Sequence, residues 1–498
     1  MSRINTNVSS LIGQRILSQN NNSLSKSLER LSTGLAINRG ADDPAGLIAS
    51  ENLRSEKAAI NAAISNAERA DQVINIAEGG LQEVSSLLLE LQSLVGESAN
   101  DAGLSREEKE ANQLQVDSII QTIDRISSST SFQGAKLLNG TYDFTVSGQA
   151  ATVASFDVNA AKLGHNENRA VQVVVTASAQ HAGVFLSTNG ALDLTDSSSA
   201  FSFEVAGSKG SREFSFASGT TLASVASTVN AFKEVTGVSA STSGTGLVIK
   251  STGFGSEEFV SFDIVGAGGQ AGSVFTLSTI DENTADTGSA TTFANVNNPI
   301  RDAGQDVGAI INGIAATSNG RTASVSTDFL DLSIELTAAG ASSQATINAL
   351  TITGGGAKFN LGPSVDINNQ VRVGIGNVAA RRLGDNDLGF LDDLGSGKAN
   401  NIVNGNIETA QKIVNTAISR VSGIRGRLGA FQQNVIGSTV RSLGVALENT
   451  SAAESSIRDT DFASETAELT RSQILANAST NVLSIANSQP QSALALLG

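Results

Sequence analysis

The stretch Leu24-Ser-Lys-Ser-Leu28-Glu-Arg-Leu31-Ser-Thr-Gly-Leu35, near the start of the chain, decides the fold. Its leucines step by 4, 3 and 4 residues, which is the spacing of a coiled-coil seam. A helix with such a seam can bury its apolar side only against another helix or against a second molecule. The architecture therefore depends on where the rest of the chain offers a partner for this seam.

Apolar residues at the same spacing continue to about residue 140. Between the first two helices, Gly40-Ala-Asp-Asp-Pro44 predicts a joint at which Asp42 or Asp43 caps a helix that Pro44 opens. The following helix should span roughly 50 residues, on the order of 75 Å. Ser105, followed by acidic residues, predicts the start of a third helix. The apolar stripe of the long helix includes Ile60, Ile64, Leu81, Val84, Leu88 and Leu91.

From about residue 400 to its end, the chain again has apolar residues at helical spacing. One predicted stripe comprises Val414, Ile418, Val421, Leu428 and Phe431, and after a polar break near Asn449-Thr-Ser a second includes Ile474, Leu475 and Leu483. Residues 472–498 contain no charged side chain, although a solvated helix normally carries Lys and Glu pairs. We interpret this segment as a helix packed inside an assembly, and the alternative is a frayed tail.

The middle of the chain, residues 171–375, has a different composition. It is rich in Gly and Ser and alternates with period two, as in Phe259-Val-Ser-Phe-Asp-Ile264, with a short helix predicted over Leu222–Phe232. The sequence thus predicts a mainly α protein. Its discontinuous N- and C-terminal helices form a coiled-coil rod, and a β-rich or α+β outer domain is inserted between them.

Composition excludes several classes of function. The net charge of −16 disfavours nucleic acid and anionic membranes as partners, and the absence of Cys excludes thiolate chemistry. We find no zinc-protease motif, nucleophile elbow or phosphate loop, so we expect no catalytic residue, no cofactor and no metal. The first residues lack the features of a secretory signal, and we expect either a cytoplasmic protein or export by another route.

Ordered motifs at both termini resemble bacterial flagellin over about 240 residues. They are Ile4–Asn7, Leu28–Asn38, Ala41–Leu47, Ile123–Ile126, Thr130–Gly140, Arg427–Asn434 and Ile457–Glu465. Residues 201–265 also resemble, more weakly, a small module found in flagellins and related axial proteins. The resemblance implies a structural subunit, not an enzyme, that self-assembles into the helical flagellar filament used for swimming.

The resemblance also implies a different structural role for each part of the chain. Residues 1–43 and 455–498 would form the inner tube of the filament, and residues 44–170 and 376–454 a coiled-coil domain with a β-hairpin region. Residues 171–375 would form the variable outer domain, as one module or as two (171–268 and 269–375). Assembly would rest on the Leu and Ile seams given above, with Asp42, Asp43 and Pro44 as the helix joint.

Partners are likewise implied by the resemblance: further copies of the chain, an export chaperone, the filament cap and the hook–filament junction proteins. Export would use the flagellar secretion apparatus.

At the position where many flagellins carry an Arg that host Toll-like receptors recognise, this chain has Glu90, with Leu94 further on, which predicts weak recognition. The outer Ser and Thr residues are candidates for glycosylation. A junction protein and a secreted glycan-binding adhesin are the alternative functions.

Overall fold

A computed structural model describes residues 6–100, 103–164, 167–188, 190–194, 200–277, 283–296 and 298–495. Its contacts divide the chain into two compact units, each discontinuous in sequence. The first comprises residues up to 71, residues 360–369 and residues from 430 onward. The second comprises residues 72–359 and 370–429. Residues 1–5 and 496–498 of the predicted terminal helices lie outside the described residues.

Helices dominate both ends of the chain, as predicted: α1 (Val8–Thr33), α2 (Pro44–Ser98) and α3 (Arg106–Ser129) at the start, and α7 (Ile407–Ala430), α8 (Gly437–Arg458) and α9 (Phe462–Ala495) at the end. Three short helices lie in the middle: α4 (Leu222–Ala231), α5 (Lys233–Thr236) and α6 (Ala338–Ser342). A π-helical segment, Phe431–Ile436, joins α7 to α8.

Local capping signals in the sequence fix several helix ends. Gly34 ends α1 in the left-handed conformation, with φ at 74°. Ser105 and Glu108 form a reciprocal capping box at the start of α3. The predicted break at Asn449-Thr-Ser is wrong, because α8 continues to Arg458. Polar residues cost a helix interior less than about 1 kcal/mol each, which is too little to end it.

Three helices of the second unit contribute buried apolar side chains to its core. The residues from 72 onward in α2 bury Ile74, Leu81, Val84, Leu88 and Leu91, α3 buries Val116, Ile119, Ile120 and Ile123, and α7 buries Ile413, Val414, Val421, Ile424 and Leu428. Polar contacts add to this core, since Gln92 donates to Asn415 at 2.9 Å and Arg425 donates to Glu78 at 2.8 Å. The heptad-like spacing in these helices is therefore satisfied within one molecule.

The strands of the middle region form two β modules that are nested in the chain. After a small hairpin of β1 (Ser131–Phe132) and β2 (Ala135–Lys136), the first module begins with β3 (Phe144–Ser147), β4 (Val153–Ala161) and β5 (Arg169–Ala177). The chain then builds the second module from β6 (His181–Ser187), β7 (Ala200–Gly207), β8 (Gly210–Ala217), β9 (Val238–Ser243), β10 (Gly246–Phe254), β11 (Phe259–Gly266), β12 (Ser273–Thr276), β13 (Thr291–Thr292) and β14 (Ile300–Ala303).

The chain then returns to complete the first module. It does so with β15 (Gly308–Ile311), β16 (Ile314–Ala315), β17 (Thr317–Asn319), β18 (Thr322–Ser326), β19 (Leu330–Leu336) and β20 (Thr346–Gly355). Short strands follow at β21 (Ala357–Asn360), β22 (Gln370–Val373), β23 (Gly384–Asp385) and β24 (Gly389–Phe390).

Sheet order shows the nesting directly. In the first module β5 lies between β15 and β20, and β4 pairs with β19. In the second module β6 lies between β12 and β10, and β11 lies between β14 and β7. The predicted split into consecutive modules 171–268 and 269–375 is therefore wrong, and the first module begins at β3, before residue 171. Pairing follows the fit of apolar faces, which need not come from neighbouring segments.

Each module has its own hydrophobic core. The first is dominated by Val, Leu and Ile side chains, and the second contains the buried rings of Phe201, Phe203, Phe262 and Phe293. Phe203 lies 5.0 Å from Phe262 between ring centroids, a spacing typical of favourable aromatic pairs.

Candidate assembly surface

The terminal helices α1 and α9 pack against each other within the first unit. Polar groups join them along their length: Asn7 donates to the Ala486 carbonyl at 2.8 Å, Ser10 to the Asn487 amide oxygen at 2.6 Å, and Asn20 to the Ser479 hydroxyl at 2.6 Å. An ion pair, Arg30 with Glu465 at 3.5 Å, lies toward the other end. The first and last helices of the chain are therefore neighbours.

Small residues form the contact between these two helices. Ser10, Gly13, Ser27, Ser472, Ser479 and Ala486 are buried. A Cβ placed on Gly13 would lie 3.2 Å from a methyl carbon of Leu483, so the helices approach closely. Small side chains allow such an approach, but they bury little apolar area, so this contact alone contributes a modest hydrophobic stabilisation.

Large apolar side chains of the same helices point away from this contact. They are Val8, Leu11, Ile12, Ile16 and Leu28 on α1, and Phe462, Ile474, Leu475, Val482 and Ile485 on α9, and we call them the exposed apolar set. Ile474 is 62% exposed and Ile485 is 66% exposed. Burying such a side chain stabilises a complex by about 1.5–3 kcal/mol. Exposed apolar patches of this kind mark contacts with other molecules.

The predicted seam residues fall into three groups by burial. Ile60, Leu81, Val84, Leu88, Leu91, Val414, Val421, Leu428 and Phe431 are buried, and Leu24, Leu31, Leu35, Ile64, Ile418 and Leu483 are half-buried. Leu28, Ile474 and Leu475 are exposed. Leu28 belongs to the first leucine seam but is not covered within the subunit, and small residues occupy the contact between α1 and α9. The spacing identified an apolar face, but it did not identify what covers that face.

Several members of the exposed apolar set were not singled out from the sequence. Val8, Leu11, Ile12, Ile16 and Val482 belong to this group. The available signal was the run of apolar residues in segments with few or no charges, since only Arg15 carries a charge between Asn7 and Leu24.

The joint between α1 and α2 is held to the joint between α8 and α9. Leu35 and Asp459 form an antiparallel bridge, with Ala36 donating to the Arg458 carbonyl at 2.7 Å and Thr460 donating to the Gly34 carbonyl at 2.9 Å. These backbone bonds fix where both chain segments turn.

The two aspartates of the first joint have different roles. Asp43 caps α2, accepting from the backbone N–H groups of Ala45 at 3.1 Å and Gly46 at 3.0 Å. Asp42 pairs with Lys26 at 2.8 Å and accepts from the backbone of Arg39. Lys26, together with these backbone N–H groups, lowers the pKa of Asp42 to about 2. Both residues were candidates for the cap, and the structure assigns it to Asp43.

Glu90 and Leu94 differ in accessibility. Glu90 is exposed on α2, whereas Leu94 is buried with 7% exposure. Of these two residues, only Glu90 is accessible to another protein that binds the free subunit.

No helix within the described part of the chain is both long and apolar enough to cross a bilayer.

Comparison with known sequences gives matches at both ends and in the second module. A profile described as "Bacterial flagellin N-terminal helical region" matches residues 4–143, and one described as "Bacterial flagellin C-terminal helical region" matches residues 411–497. A third, "Flagellin hook IN motif", matches residues 200–253, which confirms the weaker resemblance predicted there.

Full-length relatives agree with these profiles. The chain is 28% identical to a flagellin of Clostridium tyrobutyricum over 98% of this chain and 100% of the relative. It is 26% identical to flagellin B of Helicobacter pylori over 99% of both chains. Among solved structures, FliC from Burkholderia pseudomallei is 15% identical, with 73% of this chain and 99% of that chain covered and a TM-score of 0.23.

Proposed function

Because the chain belongs to the bacterial flagellin family and is a structural, non-enzymatic subunit of the extracellular flagellar filament, we propose that the exposed apolar set joins its copies. The observation that carries this proposal is that, among the side chains that the structure describes, ten large apolar ones of α1 and α9 remain exposed in the single subunit. Polymerisation would bury them, and their hydrophobic contribution would then drive assembly.

The test replaces Ile474 and Ile485 together by Asp. We expect loss of filaments in electron microscopy, because each carboxylate would have to be desolvated in the polymer. The thermal unfolding of the monomer should change little, since both side chains are already exposed.

A control variant adds one negative charge where α9 begins. Ser464→Asp lies at an exposed position in the first turn, where an acidic side chain suits the helix dipole. This variant should polymerise like the parent. Normal filaments from the double Asp variant would disprove the role of the exposed apolar set.

Domain roles form part of the same proposal. Residues 1–43 and 455–498 would line the filament tube, and residues 44–170 and 376–454 would surround it. Residues 171–375 would face outward, and β3 and β4 of the preceding segment pair with strands of this outer part. A helical reconstruction of the filament tests this assignment and would also give the protofilament number.

Export through the flagellar apparatus and passage along the filament channel follow from the family. The uncharged segment 472–489 supports a channel wall without strong electrostatic traps for moving chains. Several Lys substitutions in this segment should slow filament elongation. Unchanged elongation would count against the channel role.

Partners beyond the homopolymer are the export chaperone, the filament cap and the junction proteins. Each is supported by family membership alone. Co-purification of the full chain with each partner from the same cell tests them separately, and a chain that binds none would remove them from the proposal.

Weak recognition by host Toll-like receptor is proposed for the free subunit. The exposed Glu90 reverses the charge expected at a receptor hot spot, which can cost several kcal/mol. Glu90→Arg should raise the reporter response, whereas a strong response from the parent would overturn this proposal.

A further inference from the structure

A cavity of about 800 Å³ lies in the second unit, beside helix α7. Strand β4, the 374–386 segment and α7 contribute to its walls. Small-molecule sites typically enclose about 300–1,000 Å³. The cavity therefore has the size of a ligand site, and none of the described residues of α1 or α9 lines it.

The charges on the cavity wall cancel. Its lining includes three carboxylates and three guanidinium groups: Asp143, Asp157, Asp385, Arg382, Arg420 and Arg427. An anionic ligand would meet the carboxylates, and a cationic ligand would meet the guanidinium groups. A neutral ligand that both donates and accepts hydrogen bonds avoids both repulsions.

Two half-buried charged groups retain hydrogen-bonding capacity toward the cavity. Among the described residues, the backbone N–H of Phe144 donates to Asp143 at 2.8 Å, and one guanidinium nitrogen of Arg427 contacts the amide oxygen of Asn159. A carboxylate can accept about four hydrogen bonds and a guanidinium can donate five. Burial raises the pKa of Asp143 and lowers that of Arg427, which reflects how far both groups are withdrawn from water.

The rest of the lining suits a ring that carries hydroxyl groups. The half-buried rings of Phe156 and Phe390 offer flat apolar surface. The Nδ2 groups of Asn139 and Asn377 offer further donors and the Oδ1 of Asn386 a further acceptor, since the other atom of each amide already bonds within the chain. A hydroxyl can donate to a carboxylate and accept from a guanidinium or amide at once, while C–H groups contact an aromatic face. We propose that this cavity binds a neutral saccharide of one or two rings.

Helix α7 provides a variant that blocks the cavity and a matched control. Gly423 lines the cavity, and a Cβ placed there would meet no atom within 4 Å. Gly426 lies three residues further along the same helix, also with nothing within 4 Å, and does not line the cavity. Leu at either position replaces a helix-interior glycine by a better helix former, so both variants should fold.

The experiment titrates the full-length soluble chain calorimetrically with glucose, maltose, cellobiose and lactose. Inorganic phosphate and spermidine serve as charged comparators. We expect at least one saccharide to bind with a Kd on the order of 1 mM, with no saturable binding of either charged probe. Gly423→Leu should weaken this binding at least about tenfold, and Gly426→Leu should leave it unchanged.

Asp143→Asn is a second, independent test, because it keeps the shape of the side chain and removes the carboxylate, a strong hydrogen-bond acceptor. It should also weaken saccharide binding by about tenfold. The proposal is overturned if no saccharide binds, if the charged probes bind in their place, or if Gly423→Leu binds as well as the parent.

Discussion

Asp306 accepts two hydrogen bonds from Ser256, one from the backbone N–H at 3.0 Å and one from the hydroxyl at 2.5 Å. Ser256 follows β10 of the second module, and Asp306 lies on the connection that returns to the first. The same carboxylate accepts from the backbone N–H of Gly320, in the turn between β17 and β18, at 2.7 Å. One side chain thus joins a turn of each β module.

Replacing Asp306 by Ala should loosen this junction, because three donors lose a charged acceptor. Hydrogen bonds to charged groups typically contribute about 1.5–3 kcal/mol each to stability, and partial exposure here favours the lower end. We expect faster amide hydrogen exchange at Ser256 and Gly320. Asp328→Ala is the control, since that carboxylate pairs with Lys162 while 87% exposed. Unchanged exchange in the Asp306 variant would show that the modules are joined by other contacts.

Acid should weaken the α1–α2 joint through Asp42. Its pKa is lowered from 3.8 to about 2, first by the Lys26 side chain and then by backbone N–H groups. A lowered pKa stabilises the fold above the unfolded-state pKa, and this contribution is lost as the pH falls toward 2. Asp42→Asn should therefore melt at a lower temperature than the parent at pH 5, with the difference vanishing near pH 2. A difference that stays constant over this range would contradict the prediction.

Gly96→Ala should stabilise the long helix α2. Gly96 lies in the helix near its end, and a Cβ there would meet no atom within 4 Å. Ala loses less backbone entropy than Gly on folding, which contributes about 0.5–1 kcal/mol. Chemical denaturation followed by circular dichroism measures the gain. Gly80→Ala is the contrasting variant, because its Cβ would lie 2.7 Å from Leu138 and should destabilise the same helix.

Removing one negative charge from the second module should stabilise it. Glu204 pairs across the sheet with Glu213 on one side and with Asp263 on the other. Like charges that face each other across strands destabilise a sheet, and relief of one pair is worth about 0.2–1 kcal/mol. We expect Glu213→Gln to raise the melting temperature at low salt, with a smaller effect at high salt. Glu257→Gln, at an exposed position outside the strands, should have no such effect.

Two apolar residues should separate folding from assembly. Leu88→Ala removes a fully buried side chain and should destabilise the monomer by about 2–5 kcal/mol. Ile474→Ala removes a side chain that is 62% exposed and should change monomer stability by less than about 0.5 kcal/mol, while raising the concentration needed for polymerisation. The two variants are compared by denaturation of the monomer and by sedimentation of the polymer. Equal effects on monomer stability would contradict the division between core and assembly residues.

Helices and their ends were predictable because their signals are local. Gly34, Pro44 and Ser105 act within one turn of their own positions, so capping rules apply before any tertiary contact forms. The polar triplet at Asn449 did not end a helix, because polar residues weaken a helix interior only slightly and α8 continues through it. The cavity beside α7 could not be predicted, because its lining residues come from segments more than two hundred residues apart.

The amino-acid sequence by itself determined which segments are helical, where they are capped and that a β-rich region separates them. The motifs at both ends also identified the family. Only the tertiary structure decided which apolar faces are covered: Leu88 is buried, while Ile474 remains exposed. It also decided that the β modules are nested. The physical reason is that periodicity marks an apolar face through local geometry, whereas the partner of that face depends on distant segments that fit it.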